Sequence, residues 1–539
     1  MGESTIAGMQ DLTTSSHKAS EQMIHAIDSL RVSVLAALCC LSCAAASARA
    51  DVRLPAVLSD RMVLQQDSDV RLYGWAYEGE EVMVETSWGV TARGVSDSRG
   101  EWSVTVRTPV ARPLEAGLAA ESITFSVPNE NSVRINGILI GEVWLCSGQS
   151  NMALMLGPEY PAGRSEWFGE RFWAEESARS ARPGLRVFNV EKTARAEPAE
   201  DCKGVLPDHV IFPQEREGPA PVVRYGWQEC SPETAPFISA VAYYFAAALQ
   251  EKLNVPVGVV VSAVGGSPIQ AWMSLESLQS VPPYAGAMPA VHRLGASALY
   301  NGMIAPLGPM TLRGVIWYQG ESNTDATATH YALLLEALIH DWRRTFRTAE
   351  LPFGVVQLPG MREPAAEPGV STVALVREAQ ADVAARVPGV SLAVTIDVGA
   401  ATIHPPNKRD VGRRLALHAL AGVYGLPVGC EGPIFDRMTR EGSALRLFFR
   451  NTAGGLTATG TSLQNFAIAG SDRKFAWATA RIENDGVVVS SPAVLDPVAV
   501  RYAWADAPRD SHLVNGEGLP AAPFRTDDFE SGGSDTGRD

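Results

Sequence analysis

The chain is short of basic residues, of cysteine and of long apolar runs. Lysine and arginine number 45 against 60 aspartate and glutamate residues, which gives a net charge of −15 at pH 7. Nucleic acid is bound mainly through lysine and arginine, so this balance, with no basic stripe, argues against a nucleic-acid partner. The one C-x-x-C pattern among the seven cysteines, at 40–43, lies in an apolar stretch, and no H-E-x-x-H pattern occurs among the nine histidines, so nothing in the sequence points to a metal.

One extended apolar run lies near the amino terminus. It covers residues 32–46, follows Arg31 and ends in the small-x-small sequence A-R-A at 48–50. This layout is typical of a secretory signal, and the run is too short to cross a bilayer comfortably. We expect cleavage after about Ala50 and a periplasmic or secreted protein without a membrane span. The alternative is that residues 1–50 remain as a membrane anchor.

Four cysteines remain after such a cleavage. Two of them, Cys202 and Cys230, bracket a loop rich in proline, glutamate and arginine. In an exported protein a disulfide between them is one expectation, and two free thiols are the other.

Composition and periodicity divide the mature chain into three regions and a tail. Residues 51–138 contain short alternating runs between turn clusters, which predicts a β-sandwich-like domain. Residues 139–427 alternate apolar strands with amphipathic helices, which predicts a parallel sheet covered by helices, with an insertion loop at 194–236. Residues 428–526 predict a β-rich domain, and residues 527–539 a disordered tail. The amphipathic patterns predict helices over 237–253, 330–346 and 408–424.

Four strands of the middle region each end in a polar loop. The strands and loops are 142–146 with S-G-Q-S-N-M at 147–152, 257–261 with G-G-S-P at 265–268, 314–318 with Q-G-E-S-N at 319–323, and 391–396 with Asp397 and I-H-P-P-N at 403–407. Parallel strands present their carboxyl ends at one edge of a sheet, where ligands bind, so we expect these loops to meet. Together they would supply the components of an acyl-transfer site.

In such a site Ser150 is the candidate nucleophile and His404 the base that accepts its proton. His404 is the one histidine of the mature chain that lies in a loop of this kind. Backbone N–H groups at the Gly266 turn can stabilise an oxyanion without obstruction by a side chain. Taken singly, each residue also has an ordinary role: Ser150 can cap a helix, the glycines can permit tight packing, Glu321 can pair with an arginine, and His404 can pack at a helix entry.

Three segments carry a wider likeness: V-W-L-C-S-G-Q-S-N-M at 143–152, W-Y-Q-G-E-S-N at 317–323 and I-H-P-P-N-K at 403–408. They resemble the sialate O-acetylesterase family, a branch of the SGNH (GDSL-type) hydrolases. Similar segments near 58–66, 468–475 and 515–520 extend the resemblance over essentially the whole mature chain. It implies a three-layer α/β/α hydrolase domain between β-rich regions, and release of acetate from acetylated carbohydrate without a cofactor.

The resemblance also implies roles for individual residues. Ser150 matches the family's nucleophile and His404 its base, and the backbone N–H groups of Ser150 and Gly266 match oxyanion donors. The wider superfamily uses an asparagine as a third donor, at a position that is a serine here. We expect Gln319, or otherwise Asn323, to replace it.

The acid that usually accompanies the histidine is missing. The superfamily places an aspartate two or three residues before the histidine to hold its tautomer, but these positions are Ala401 and Thr402 here. The nearest carboxylate is that of Asp397. Either Asp397 or a backbone carbonyl is therefore expected to orient His404.

Substrate contacts follow from the same resemblance. Members of the family carry an R-E-A-Q motif, which is present here at residues 377–380. Arg377 and Gln380 are therefore candidate substrate contacts, together with Glu321. The motifs do not define the sugar, and acetylated xylan or another hemicellulose is an alternative substrate for the same mechanism. Because the acid is missing, a carbohydrate-binding protein without catalysis is the alternative from a different class.

Overall fold

The computed structural model describes residues 52–128, 131–157, 170–206, 224–285, 295–508 and 512–529. The predicted signal segment, residues 207–223 of the insertion and residues 530–539 of the predicted tail lie outside the described residues. Within the described ranges, no helix has the length and apolar composition that crossing a membrane requires.

The amino-terminal region is built from β-strands. They are β1 (Val63–Gln65), β2 (Asp69–Trp75), β3 (Glu81–Thr86), β4 (Thr91–Val95), β5 (Glu101–Arg107), β6 (Glu121–Ser126) and β7 (Val133–Gly148). Along β5 exposed and buried residues alternate strictly, because one face of the strand covers the core. β2 pairs with β5, and β3 pairs with β4 and β6.

The middle region alternates strands with helices. Its strands are β8 (Arg182–Asn189), β9 (Val205–Leu206), β10 (Arg224–Tyr225), β11 (Gln228–Cys230), β12 (Val257–Ala263), β13 (Gly314–Tyr318), β14 (Phe353–Val356) and β15 (Val390–Ala393). Its helices are α1 (Ser150–Ala153), α2 (Glu170–Arg179), α3 (Ala240–Leu253), α4 (Leu275–Ser280), α5 (Tyr331–Thr345), α6 (Thr372–Arg386) and α7 (Lys408–Gly422).

The main sheet has the strand order β11-β8-β12-β7-β13-β14-β15, and every neighbouring pair is parallel except β11 with β8. Helix α3 packs against α7, and α5 packs against α4 and α6. This three-layer α/β/α arrangement confirms the predicted fold class. The predicted helices correspond to α3, α5 and α7, whereas α6 was not predicted.

Strand β7 belongs to two sheets at once. Ile135 of β7 pairs with Ile123 of β6 in the amino-terminal region. Further along the same strand, residues 142–148 pair with β12 in the main sheet. The predicted boundary between residues 138 and 139 therefore falls inside a continuous strand.

The carboxy-terminal region is again built from strands. They are β16 (Ile434–Glu441), β17 (Ala444–Arg450), β18 (Leu456–Ala458), β19 (Phe466–Ala469), β20 (Phe475–Trp477), β21 (Thr479–Glu483), β22 (Gly486–Ser490), β23 (Ala499–Tyr502), β24 (Leu513–Asn515) and β25 (Phe524–Arg525). Two four-stranded sheets, β16-β17-β22-β21 and β20-β19-β23-β25, form most of it.

The predicted disordered tail starts too early. The carboxylate of Asp527 is completely buried and accepts two hydrogen bonds from Arg501, of 2.7 and 2.8 Å. A buried carboxylate needs such a partner, so this ion pair keeps the chain in place beyond residue 526.

The buried apolar side chains form two clusters. One cluster runs from Val52 to Leu420 and joins the amino-terminal and middle regions in a common core. The other belongs to the carboxy-terminal region and includes Ile396 from the middle region. Ile396 thus ties the loop that follows β15 to the carboxy-terminal core.

His418 of α7 is buried where the middle and carboxy-terminal regions meet. Burial lowers its pKa from 6.5 to about 4. Between these values the unfolded chain binds more protons than the folded one, so the free energy of unfolding is highest above pH 6.5 and falls as the pH drops. We expect this histidine alone to lower the free energy of unfolding by about 2 kcal/mol from pH 7 to pH 5.

Urea denaturation at both pH values measures this effect. In His418→Gln the loss of stability between pH 7 and pH 5 should be smaller than in wild type by that amount. His340→Gln, which replaces a half-exposed histidine, is the matched control and should keep the wild-type loss. An unchanged loss in His418→Gln would contradict the prediction.

Candidate active site

Three neighbouring strands bring their following loops together. Gly148 at the end of β7 is in register with Ala263 of β12 and with Tyr318 of β13. The strands are parallel, so their loops leave at the same edge of the sheet. Gly148 has a φ of +140°, and a Cβ there would lie 2.0 Å from the Tyr318 carbonyl oxygen. Only glycine permits this approach. The chain then turns into α1, whose first residue is Ser150.

Ser150 and His404 are in direct contact. The Oγ atom of Ser150 lies 2.8 Å from Nε2 of His404, across 254 residues of sequence. The loop that carries His404 follows β15 and precedes α7. Both side chains are partly exposed at the edge of the sheet. At a separation of 2.8 Å the imidazole can accept the proton of the serine hydroxyl group.

The glycine turn that follows β12 lies beside Ser150. A Cβ on Gly265 would be 3.5 Å from Cβ of Ser150, and the next residue, Gly266, has a φ of +69° and open space where a side chain would project. Within the part of the chain that the structure describes, the backbone N–H groups of Ser150 and Gly266 have no hydrogen-bond acceptor. Two donors are therefore available close to the serine.

Gln319 and Asn323 are not available as the third oxyanion donor, contrary to prediction. Gln319 is completely buried, and its Nε2 lies 3.1 Å from Gln149 Oε1, 3.1 Å from the Ser267 carbonyl oxygen and 2.8 Å from Asn323 Oδ1. The Asn323 amide donates to two further side chains, each at 3.0 Å. An amide NH2 has only two hydrogens, so both groups are used in holding the loops together.

A buried polar chain lies next to the Ser150–His404 pair. Asn151, completely buried, donates from Nδ2 to Glu321 Oε1 and, at 3.1 Å, to the carbonyl oxygen of Ile403. Its Oδ1 accepts a hydrogen bond from Nζ of Lys408. Burial raises the pKa of Glu321 and lowers the pKa of Lys408 to about 7. Glu321 is thus an internal residue, not the substrate contact that was predicted.

Sequence reasoning assigned no role to Asn151 or Lys408. Both lie in the motifs that carry the resemblance, Asn151 directly after Ser150 and Lys408 four residues after His404. A polar residue close to each reactive residue, within the same motif, was the signal that could have identified them.

Asp397 does not orient His404 in this structure. Its two carboxylate oxygens accept hydrogen bonds of 2.6 and 2.7 Å from the guanidinium group of Arg414. Among the hydrogen bonds of the described residues, none joins Asp397 to His404. The ion pair is largely shielded from solvent, and the fork of the arginine satisfies both oxygens, so in this structure Asp397 is paired with Arg414 and not with His404.

Arg377 and Gln380 are not substrate contacts either. Both side chains are completely buried. Arg377 donates four hydrogen bonds to backbone carbonyls, two of them at Ala505 and Asp506 of the carboxy-terminal region. Gln380 donates to the Gln319 carbonyl oxygen at 3.0 Å. The R-E-A-Q motif therefore joins two regions of the protein beneath the site.

Cys202 and Cys230 do not form a disulfide. Both thiols are free and buried. The Sγ atom of Cys230 lies 3.3 Å from the Ser180 carbonyl oxygen, and burial raises the pKa of both thiols to about 12. Both sulfurs are therefore protonated at neutral pH. Within the described ranges, no group of three or more His, Cys, Asp or Glu side chains is arranged so that it could hold a metal ion.

A serine–imidazole pair beside a glycine turn, at the carboxyl edge of a parallel α/β/α sheet, is the arrangement of an SGNH-type carboxylic ester hydrolase. Residues 140–421 match the family model described as carbohydrate esterase, sialic acid-specific acetylesterase. The match covers more than half of the chain. The protein therefore belongs to this family of carbohydrate O-acetylesterases, which confirms the resemblance seen in its motifs.

The similarity to known proteins extends over nearly the whole length of this chain. Human sialate O-acetylesterase is 29% identical over 524 residues, which cover 89% of this chain and 93% of the human one. The mouse sialate O-acetylesterase is 27% identical over 545 residues, 89% of this chain and 95% of its own. Among solved structures, a carbohydrate acetylesterase from Xanthomonas citri is 34% identical, with a TM-score of 0.74, and covers 89% of this chain and all of its own.

Proposed function

We propose that the protein removes acetyl groups from hydroxyl groups of acetylated sialic acid, through an acetyl-enzyme intermediate on Ser150. The observation that carries the proposal is the distance of 2.8 Å between Ser150 Oγ and His404 Nε2. A serine hydroxyl is a weak nucleophile until a base at this distance takes its proton. The sugar is proposed from the human and mouse relatives, whose names specify sialate.

In the first step, Ser150 Oγ attacks the acetyl carbonyl carbon while its proton passes to Nε2 of His404. The carbonyl oxygen becomes an oxyanion, which the backbone N–H groups of Ser150 and Gly266 stabilise. When the tetrahedral intermediate collapses, the bond to the sugar oxygen breaks and His404 returns the proton to that oxygen. The deacetylated sugar leaves, and Ser150 carries the acetyl group.

In the second step, water replaces the sugar. His404 takes a proton from the water as its oxygen attacks the acetyl carbon, and the same two N–H groups stabilise the second oxyanion. Collapse breaks the bond to Ser150 Oγ, which regains its proton from His404, and acetic acid is released. No other group needs to change its protonation state.

We also propose that the enzyme acts outside the cytoplasm, in the periplasm or as a secreted protein. Support comes from the apolar segment at 32–46 and the A-R-A sequence at 48–50. Amino-terminal sequencing of the protein purified from its source organism tests whether the segment is cleaved. A mature chain beginning near Asp51 is expected, and a chain that retains residues 32–46 would contradict cleavage.

A substrate panel tests the proposed activity. Acetate release is measured by a coupled assay with O-acetylated N-acetylneuraminic acid, acetylated xylan and p-nitrophenyl acetate, each against its hydrolysis without enzyme. We expect turnover of all three esters, with the highest kcat/KM for the acetylated sialic acid. A higher kcat/KM for xylan would transfer the proposal to plant polysaccharide. Saturable sugar binding without release of acetate would favour the binding protein instead.

A further inference from the structure

The side chain of Asn151 contacts the histidine loop on both sides of His404. Its Nδ2 donates to the carbonyl oxygen of Ile403, directly before the histidine, at 3.1 Å. Its Oδ1 accepts from Nζ of Lys408, four residues after the histidine. Asn151 itself directly follows Ser150 in the sequence. One amide therefore connects the segment that carries the serine with both ends of the segment that carries the histidine.

The neighbours of Asn151 permit only one orientation of its amide. Nζ of Lys408 lies on the oxygen side of the amide, where it donates to Oδ1. The Ile403 carbonyl can only accept and the Glu321 carboxylate also accepts, so both face the amide nitrogen. The two hydrogens of Nδ2 then have one partner each, and the orientation is chemically fixed.

Within the loop between these two contacts, two positions have no backbone hydrogen to donate. Residues 405 and 406 are prolines, which have no N–H group to donate. The backbone N–H of His404 donates locally, to Thr402 Oγ1 at 3.1 Å. The bond from Asn151 to Ile403 thus reaches the loop next to the histidine from a different part of the fold.

Burying this polar chain is costly. Lys408 and Glu321 are 1% and 6% exposed. The Oε2 atom of Glu321 and the hydroxyl group of Tyr318, buried nearby, have no hydrogen-bond partner among the described residues. Apolar side chains of similar volume would stabilise a core at least as well as such a chain. A role in holding the active site, beyond stability, is the function that explains its presence.

We propose that Asn151 is a positioning residue that holds His404 at hydrogen-bonding distance from Ser150, with its amide oriented by Lys408 and Glu321. This rests on the proposed function, in which the two residues exchange a proton. Asn151 does not touch the reacting atoms. Its contribution is to fix the separation of two residues that lie 254 positions apart.

The test distinguishes a role of Asn151 in positioning the histidine loop from a role in stabilising the fold. Asn151→Asp replaces the donor by a carboxylate oxygen that faces the Glu321 carboxylate and the Ile403 carbonyl, so it should lower the melting temperature. Adding Glu321→Gln supplies an amide that can donate to the new carboxylate, which restores this pair. The double variant still cannot donate to Ile403. Glu321→Gln alone is the matched reference, because it keeps the bond from Asn151 to Ile403.

We expect the double variant to regain the melting temperature of Glu321→Gln to within a few degrees while its kcat stays about 100-fold lower, the size of effect that a misplacement of about 1 Å produces. KM should change little, because binding of the sugar does not depend on the proton transfer. If kcat recovers together with the melting temperature, the chain only stabilises the fold and the proposal is wrong.

Two further measurements keep the result decisive. If the double variant does not regain its melting temperature, Asn151→Ala is measured at a temperature where it is folded. A kcat within about threefold of wild type would then overturn the proposal, and a loss near 100-fold with unchanged KM would support it. Labelling of Ser150 in wild type by a fluorophosphonate, read by mass spectrometry, tests the proposed function separately. Wild type that neither labels nor releases acetate contradicts that function, whereas failure of the positioning role leaves the labelling intact.

Discussion

Replacing Ser150 by alanine is expected to lower kcat for acetate release by roughly four orders of magnitude or more. The variant has no oxygen to attack the acetyl carbon, and the remaining rate comes from binding and from the oxyanion donors alone. KM should change little, because the lost oxygen acts in the chemical step. Steady-state kinetics with p-nitrophenyl acetate and with the acetylated sugar measure both constants.

His404→Gln is expected to produce a loss of similar size, because the serine then has no base. The double variant Ser150→Ala/His404→Gln should be no slower than either single variant, since the two residues act as a unit. His340→Gln is the matched control, because it replaces a half-exposed histidine of α5.

Additive losses in the double variant would mean that the serine and the histidine act independently. Full activity in Ser150→Ala would disprove the acetyl-enzyme mechanism, whatever the substrate. Circular dichroism of each variant at the assay temperature ensures that a lost rate reflects chemistry and not unfolding.

Asp397→Asn is expected to reduce stability strongly and activity little. Arg414 is only 9% exposed and donates to both oxygens of Asp397, so the substitution leaves a buried cation without its counter-charge. Breaking a buried ion pair in this way typically costs about 3 kcal/mol or more. We expect that loss in urea denaturation at pH 7, with kcat of the folded variant within about tenfold of wild type.

The opposite pattern would restore Asp397 to the catalytic machinery. Removing the acid of a Ser-His-Asp triad lowers kcat by about 10⁴-fold while the fold remains intact. A loss of that size in Asp397→Asn at unchanged stability would show that the carboxylate leaves Arg414 and orients His404 during turnover. Arg414→Met is the companion variant and should be destabilised to a similar degree, because it leaves the carboxylate buried without a partner.

Much of the fold and the reactive pair could be predicted from the sequence, because both follow from simple periodicity. Apolar strands alternating with amphipathic helices require a parallel sheet, and the loops at its carboxyl edge must then meet. This reasoning placed Ser150 beside His404 without any distance information. Helix α6 was not predicted, since its residues mix buried arginine and glutamine with alanine and so weaken the apolar stripe.

Burial of polar residues was the part that could not be predicted. Gln319, Glu321 and Arg377 were assigned to the active-site surface from the family resemblance, and their residue types, which usually face solvent, gave no sign of burial. Their partners come from distant segments, as with Arg377 and the carbonyl oxygens of residues 505 and 506. Only the three-dimensional structure reveals such partners. The domain boundary near 139 was predicted from a change in the pattern of apolar residues. That change does not reveal that β7 continues through this position.

The continuous strand β7 has a consequence for how this protein could have evolved. A region joined by a linker can be gained, lost or exchanged by recombination, because the cut falls in exposed chain. Here a cut between residues 138 and 139 would divide a strand that pairs with β6 on one side and with β12 on the other. The same strand ends at the turn that presents Ser150. Recombination at this boundary is therefore expected to disrupt both the amino-terminal sheet and the sheet that carries Ser150.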